Sequence, residues 1–220
     1  YDNSRVSMER LLDALKKDFK QNDVLLHQLG QAPKYGNDDD YADDILRMVF
    51  HAFHGLVTGR PNAKGGVHRI NLLPTTCHVY FGEITGALPD GRKKGVPLSE
   101  GISPVQGADR CGPTAVLKSA AKIDHLKTGG TLLNQKFMPD LFKEEKGVQA
   151  LLHLIRSYFK MDGHHIQFNV VSEKTLRQAQ KYPEKYQDLI VRVAGYSDYF
   201  VDLTLALQEE IIMRTAHTLH

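Results

Sequence analysis

The 220-residue chain carries 28 Lys and Arg against 26 Asp and Glu, a formal net charge of +2, and this balance excludes the dense basic footprint of a nucleic-acid binder. With 41% hydrophobic and 25% charged residues the composition is that of an ordinary globular protein, and no apolar run reaches the roughly 18 residues of a membrane-spanning helix. Two cysteines, Cys77 and Cys111, lie far apart without CxxC or Cys/His spacing, which suggests neither a disulfide framework nor a zinc site and fits a reducing cytoplasm.

The opening YDNSRVSMERLL has no signal-peptide layout, and its first residue, Tyr1, leads us to expect a processed chain or a piece of something longer. Helical spacing of Met8, Leu11, Leu12, Leu15 and Phe19 behind Ser7 predicts an amphipathic helix over 7–19. A shorter helix over 23–29 should stop at Gly30. The acidic run in APKYGNDDDYADD reads as the N-terminus of a third helix, where the backbone dipole favours negative charge, with Ile45, Met48, Val49, Ala52 and Leu56 as its apolar stripe. From Val67 onward VHRINLL and then CHVYFGEIT predict strands, because β-branched and aromatic residues dominate. Residues 87–112 are dense in Gly and Pro, a long loop of the kind that is usually functional; the short basic cluster Arg92-Lys93-Lys94 within it reads as a solvated face.

Beyond this loop the pattern alternates. PTAVLKSAAKID starts a helix with Pro113 in the favoured first turn, GTLLNQKF is a strand, and VQALLHLIRSYF is a helix with Val148, Leu151, Leu152, Ile155 and Phe159 on one side. HIQFNVV is again a strand, a short helix covers 174–181, DLIVRVAG is a last strand ending at Gly195, and 203–215 is a closing helix with Thr204 as cap and Leu207 and Ile211 inward. Strands alternating with helices predict an α/β fold with parallel strands and crossover helices, without internal repeat or linker.

One stretch resists this simple account. VRVAGYSDYF places Gly195 between a β-branched run and Tyr196, Tyr199 and Phe200. A turn is one reading, since Gly reaches φ > 0 without steric cost. The other is chemical: without Cβ the α-carbon is open to close approach, and a radical left there after hydrogen loss is planar and delocalised into both flanking amides.

RVAGYSDYF resembles the glycyl radical motif of the glycyl radical enzymes, the pyruvate formate-lyase family, and stands near the C-terminus as it does there. The blocks APKYGNDDDYADDI, FGEITGALPDGRKKGVPLSEGISPVQGADRCGPTA, GGTLLNQKF and HHIQFNVV are similar to the same family, in order and over essentially the whole chain. Their wording is nearer to the branch of glycerol and propanediol dehydratases, choline trimethylamine-lyase and isethionate sulfite-lyase. The resemblance implies the C-terminal part of a ten-stranded α/β half-barrel pair, with residues 1–90 ending the catalytic barrel and 91–220 forming the glycine radical domain. It implies a lyase that removes water, an amine or sulfite from a small hydroxylated substrate by radical 1,2-elimination. Gly195 would store the radical, a protein-derived cofactor, within an environment of Arg192, Tyr196, Ser197, Tyr199 and Phe200. The rings and the closing helix are expected to cover the loop and exclude solvent and oxygen. No metal is expected in this chain; S-adenosylmethionine and an iron-sulfur cluster belong to the radical SAM activating enzyme that is its implied partner.

The family also needs a thiyl cysteine in a Gly-Cys-x-Glu setting, which neither PTTCHVYFG nor ADRCGPT provides, so an N-terminal portion carrying that cysteine is a further implied partner. A homodimer is implied for the full enzyme, with neither nucleic acid nor membrane. Arg69, in GGVHRINLLPTT, lies in a region that lines the substrate cavity of some members, where a guanidinium holds an anionic group; a structural arginine is the competing reading. His164 and His165 open a strand and read as structural. A stand-alone subunit that repairs a partner with a cleaved glycine loop is the alternative function, and a domain that has kept the fold without the chemistry is a third.

Overall fold

The computed structural model describes residues 6–73, 76–214, 216 and 217. Their packing divides into two compact units, one drawn from 1–33 and 77–98 and the other from 34–76 and 99–220. Both are interrupted in sequence, so no linker separates them.

In the first unit α1 (Met8–Lys16) begins where Ser7 Oγ accepts the Arg10 N–H at 3.2 Å, as the sequence predicts. α2 (Asp23–Gln31) runs past Gly30 and stops before Ala32, whose extended backbone is the one a following proline requires. Ala14, Phe19 and Leu25 are buried together, with Leu15, Leu26 and Leu29 against them. The predicted strand in CHVYFGEIT is instead α4 (Cys77–Ile84), named by its place in the chain. Its buried residues, His78, Val79 and Gly82, share a helical face, and a Cβ on Gly82 would stand 2.5 Å from the Val96 carbonyl oxygen. Close packing of a glycine on the following loop therefore overrides strand propensity here. Arg92 is not part of a solvated face either: it is buried and donates to the carbonyls of Gly86 at 2.8 Å and Gly82 at 2.6 Å, and to that of Val96.

The second unit opens with α3 (Asp40–Val57), capped by Asp39, whose Oδ1 accepts from Tyr41 N at 3.0 Å and Ala42 N at 3.4 Å. The acidic run is paired by several cations: Lys122 Nζ lies 2.8 Å from Asp40 and 2.7 Å from the buried Asp43, Lys118 Nζ 2.9 Å from Asp38, and Arg47 Nη1 2.6 Å from Asp44. Phe50 is the buried apolar residue of α3, and the expected stripe faces solvent, with Ile45, Met48, Val49 and Leu56 all exposed. VHRINLL forms no strand; Val67 and Leu72 make isolated bridges to Pro61 and Thr131.

After α5 (Pro113–Ala121) comes β1 (Leu133–Phe137), then α6 (Glu145–Lys160), then β2 (Ile166–Val170), a parallel pair in register from Leu133↔Ile166 to Phe137↔Val170 with α6 as crossover. Leu154 and Tyr158 are the buried side of α6, while Val148, Leu152 and Phe159 are exposed, a rotation from the predicted stripe. α7 (Glu173–Lys181) follows. The last predicted strand is shorter than expected and leaves the parallel sheet: β3 (Ile190–Arg192) pairs antiparallel with β4 (Ser197–Tyr199) as a hairpin. α8 (Leu205–Met213) has Thr204 as its cap and buries Leu207 and Ile211, as predicted, and Thr215 lies outside the described residues. β5 (Ala216–His217), unforeseen, adds in parallel to β1, giving the order β2-β1-β5.

Candidate functional site

All five residues of β1 are buried, although its middle is Asn-Gln-Lys. Alternation along a strand explains this. Leu133 and Phe137 join Val116, Leu117, Ala120, Leu154 and Tyr158 in the main core, with Ile166 and Phe168 of β2 against them. Asn134, Lys136, Gln167 and Asn169 fill the opposite face, all buried. Buried polar groups need partners, and these side chains meet one another and the hairpin.

Gln167 Nε2 donates to Asn134 Oδ1, and Asn134 Nδ2 donates to Glu100 Oε1, which also accepts from Ser103 Oγ at 2.7 Å. Gln167 Oε1 accepts from Arg192 Nη2 at 2.7 Å and Nε at 3.1 Å, and Arg192 Nη1 donates to Ser197 Oγ at 3.1 Å. Asn169 acts as a surrogate strand: its Oδ1 accepts the Arg192 N–H and its Nδ2 donates to the Arg192 carbonyl, both at 2.8 Å. Lys136 Nζ donates to the Ile212 carbonyl at 2.7 Å at the end of α8, and burial pulls its pKa down to about 8. Burial pushes the Glu100 carboxyl up, the nearby Arg214 charge opposing it.

Gly195 stands in the turn of this hairpin. Its φ is +86°, near the value required at the third position of a type II turn, and the Val193 N–H donates to the Tyr196 carbonyl at 2.8 Å. A Cβ here would lie 3.3 Å from Leu132 Cδ1 on a backbone that L side chains rarely adopt. Val191, Val193, Ala194 and Phe200 are buried, but Gly195 is exposed, and Tyr196 and Tyr199 are 41% and 45% exposed. The expected cover of rings is therefore only partly present: Phe200 and Leu207 turn inward, whereas Tyr196, in the turn, and Tyr199, opposite the exposed Ile190 in the two-stranded hairpin, lie at the surface.

Three residues overlooked in the sequence hold this turn. Arg214, just past α8, donates from Nε and Nη2 to both oxygens of Glu210 at 3.0 and 2.8 Å, from Nη1 to the Arg192 carbonyl at 3.2 Å, and from Nη2 to the Val193 carbonyl at 2.7 Å. Glu210 is fully buried and also accepts from Gln106 Nε2 at 2.8 Å. With Asn169 these groups come from β2 and the two ends of α8's last turn, and only spacing i,i+4 between Glu210 and Arg214 signalled any of it. A cavity of about 30 Å³ lies beside them, lined by Glu100, Gln106, Lys136 and Arg214 among others.

Arg69 is exposed and precedes the buried Ile70. Burial, with Arg192 nearby, lowers the pKa of half-buried His165, and the His164 ring lies 6.1 Å from that of buried His125. Cys77 and Cys111 are exposed and form no disulfide. Among the described residues no three His, Cys, Asp or Glu side chains converge as metal ligands, and no helix is long and apolar enough to cross a membrane. What the site offers is a backbone α-carbon without a side chain, on a turn whose approach strands are tied down.

The chain matches the family described as Glycine radical over residues 98–201 and that described as Pyruvate formate lyase-like over residues 1–82. It is 55% identical over 219 residues to trans-4-hydroxy-L-proline dehydratase of Clostridioides difficile, covering 99% of this chain and 28% of that protein. It is 40% identical over 220 residues to isethionate sulfite-lyase of Bilophila wadsworthia, covering 99% of this chain and 26% of that protein. Among solved structures, the substrate-bound hydroxyproline dehydratase from C. difficile superposes with a TM-score of 0.97 over 100% of this chain and 28% of its own. The glycerol-bound B12-independent glycerol dehydratase from Clostridium butyricum, 46% identical, does so at 0.95 over 99% of this chain and 28% of its own. The chain thus spans about a quarter of the length of these relatives.

Proposed function

This chain belongs to the glycyl radical enzyme family, and from that premise we propose that it is the C-terminal, radical-carrying portion of a lyase acting by radical 1,2-elimination on a small hydroxylated substrate. Gly195 stores the radical: an activating enzyme of the radical SAM class removes one hydrogen atom from its α-carbon, leaving a planar centre delocalised over both neighbouring amides. Arg192, Tyr196, Ser197, Tyr199 and Phe200 form the surroundings of that centre. The thiyl cysteine that abstracts the substrate hydrogen comes from the N-terminal portion of the protein, which also completes the ten-stranded half-barrel pair and covers the open side of the turn. Residues 1–90 end the barrel domain and 91–220 form the radical domain; the full enzyme is a cytoplasmic homodimer.

The observation that carries this reading is a glycine in a left-handed turn, at the centre of VRVAGYSDYF and inside the stretch matched as Glycine radical. Identity of 55% to a hydroxyproline dehydratase against 40% to a sulfite-lyase supports water as the leaving group, and makes trans-4-hydroxy-L-proline the first substrate to test. The exposed Arg69 remains a candidate contact for an anionic substrate group once the rest of the barrel is in place.

The test is anaerobic incubation of the complete enzyme with its activating enzyme and S-adenosylmethionine. Electron paramagnetic resonance should show a glycine-centred doublet, absent in Gly195→Ala, and exposure to air should cut the backbone at residue 195. A spin at any other residue would remove the assignment.

A further inference from the structure

The turn around Gly195 combines a soft apex with unusually firm approaches. The apex is exposed, bears a glycine and is held across by one backbone hydrogen bond, Val193 N–H to the Tyr196 carbonyl. The two residues leading into it, Arg192 and Val193, have their carbonyls taken by the guanidinium of Arg214 at 3.2 and 2.7 Å. The Arg192 peptide is gripped a second time by Asn169, which serves both its N–H and its carbonyl.

A buried ion pair is a poor device for stability, since desolvation cancels most of its attraction and apolar residues of similar volume do as well. Arg214 is 8% exposed and Glu210 not at all, so the pair bears that cost in full. Its geometry shows what the cost maintains. Glu210 receives the Nε and Nη2 edge of the guanidinium, and this leaves Nη1 and Nη2 aimed at two successive carbonyls, as only a planar fork can be. Gln106 holds Glu210 in turn.

We propose that Arg214, seated on Glu210, and Asn169 are positioning residues of the radical site, clamping the strand that enters the turn so that the Gly195 α-carbon stands at a fixed distance from the group with which it exchanges hydrogen. The inference rests on the role given to Gly195 above. Hydrogen transfer between two fixed centres is steep in distance, and a misplacement of about 1 Å costs on the order of 100-fold in rate. A glycine apex cannot hold its own place, because it has the widest conformational freedom of any residue. The neighbours must hold it.

The experiment uses Arg214→Met, Arg214→Lys and Asn169→Ser in the complete enzyme, with two readouts. Hydrogen exchange by mass spectrometry, which needs no radical, should show residues 191–199 exchanging about 10-fold or more faster in Arg214→Met and Asn169→Ser, with β1 unchanged. Steady-state kinetics should show kcat lowered about 10- to 100-fold with KM held, since neither residue is placed to touch substrate. Wild-type exchange and wild-type kcat in both variants overturn the clamp. So does full recovery in Arg214→Lys, whose point charge cannot reproduce the fork. Should Arg214→Met fail to fold, Asn169→Ser decides alone. Absence of glycine-centred spin in the wild-type enzyme would count against Gly195 itself, whereas unchanged exchange at 191–199 would count against the clamp, so the two failures are told apart.

Discussion

The two faces of the β1–β2 pair are covered by opposite means. On one, Leu133, Phe137 and Phe168 pack against α5 and α6 and gain from removing apolar area from water. On the other, Asn134, Lys136, Gln167 and Asn169 pair with Glu100, the end of α8 and Arg192 through directional bonds. Apolar contact is non-directional and tolerates exchange of shape at constant volume, whereas a hydrogen-bonded set locates its members and must be satisfied as a whole. The glycine turn lies on the second face. Its neighbours are thus held by groups that fix position, and the first face supplies the stability that lets them remain buried.

Breaking the first face should have the largest effect on folding. Phe137 is fully buried between β2, β5 and the main core, and Phe137→Ala should destabilise the chain by about 3–5 kcal/mol, read as a shift of the denaturant midpoint. An effect below about 1 kcal/mol would mean that this face is not the source of stability.

Titration sharpens the contrast. On the polar face the folded pKa of Lys136 is about 8, below the roughly 10.4 of an unfolded lysine. The unfolded chain therefore binds more protons between these values, and stability should rise from about pH 8 to about pH 10.4, by up to about 3 kcal/mol. Lys136→Met should flatten that rise in pH-dependent denaturation. Beside the apolar face, buried His125 accepts from the Thr131 hydroxyl through Nδ1 at 2.7 Å and donates from Nε2 to the Ala120 carbonyl at 2.9 Å, a neutral ring whose pKa burial lowers. Its stabilisation is complete above about pH 6.5 and declines as pH falls through the lowered value, and His125→Gln should weaken the acid slope.

Asn134→Leu tests the polar set at its hub. The leucine fills the volume but strands the Gln167 side-chain N–H and takes from Glu100 Oε1 one of its two donors, leaving Ser103, so about 2 kcal/mol should be lost, less than for Phe137→Ala. The loss should be smaller in acid, because a protonated Glu100 is easier to leave buried than its anion.

The strands β1 and β2 and the caps were legible in the sequence, and the polar network between them and the hairpin was not. Ser7, Asp39 and Thr204 cap their helices because a local signal, a hydroxyl or carboxylate before an apolar repeat, is sufficient. Gly195 was legible because its context is a contiguous motif. Asn169, Glu210 and Arg214 were not, since apart from the Glu210–Arg214 pair itself their partners lie 21 or more residues away, as with Arg214 and the Val193 carbonyl. CHVYFGEI misled because its strand propensity is outweighed by the contact of Gly82 with residues 96 and 97. α3 and α6 misled for another reason: each carries apolar residues on two sides, and periodicity cannot say which side this part of the protein buries.

The smallest expected effect on stability belongs to the residue with the largest expected effect on function. Gly195→Ala places a side chain at φ +86°, a strain of about 1–2 kcal/mol, and brings its methyl to 3.3 Å from a leucine terminus that can yield by a few tenths of an ångström. Gly195 itself is exposed, so little else is disturbed. Denaturation of the variant should therefore show a loss near the lower end of that range, well short of Phe137→Ala. A loss of about 4 kcal/mol would instead make Gly195 a structural glycine first, and would require the absence of spin in Gly195→Ala to be explained by misfolding before chemistry.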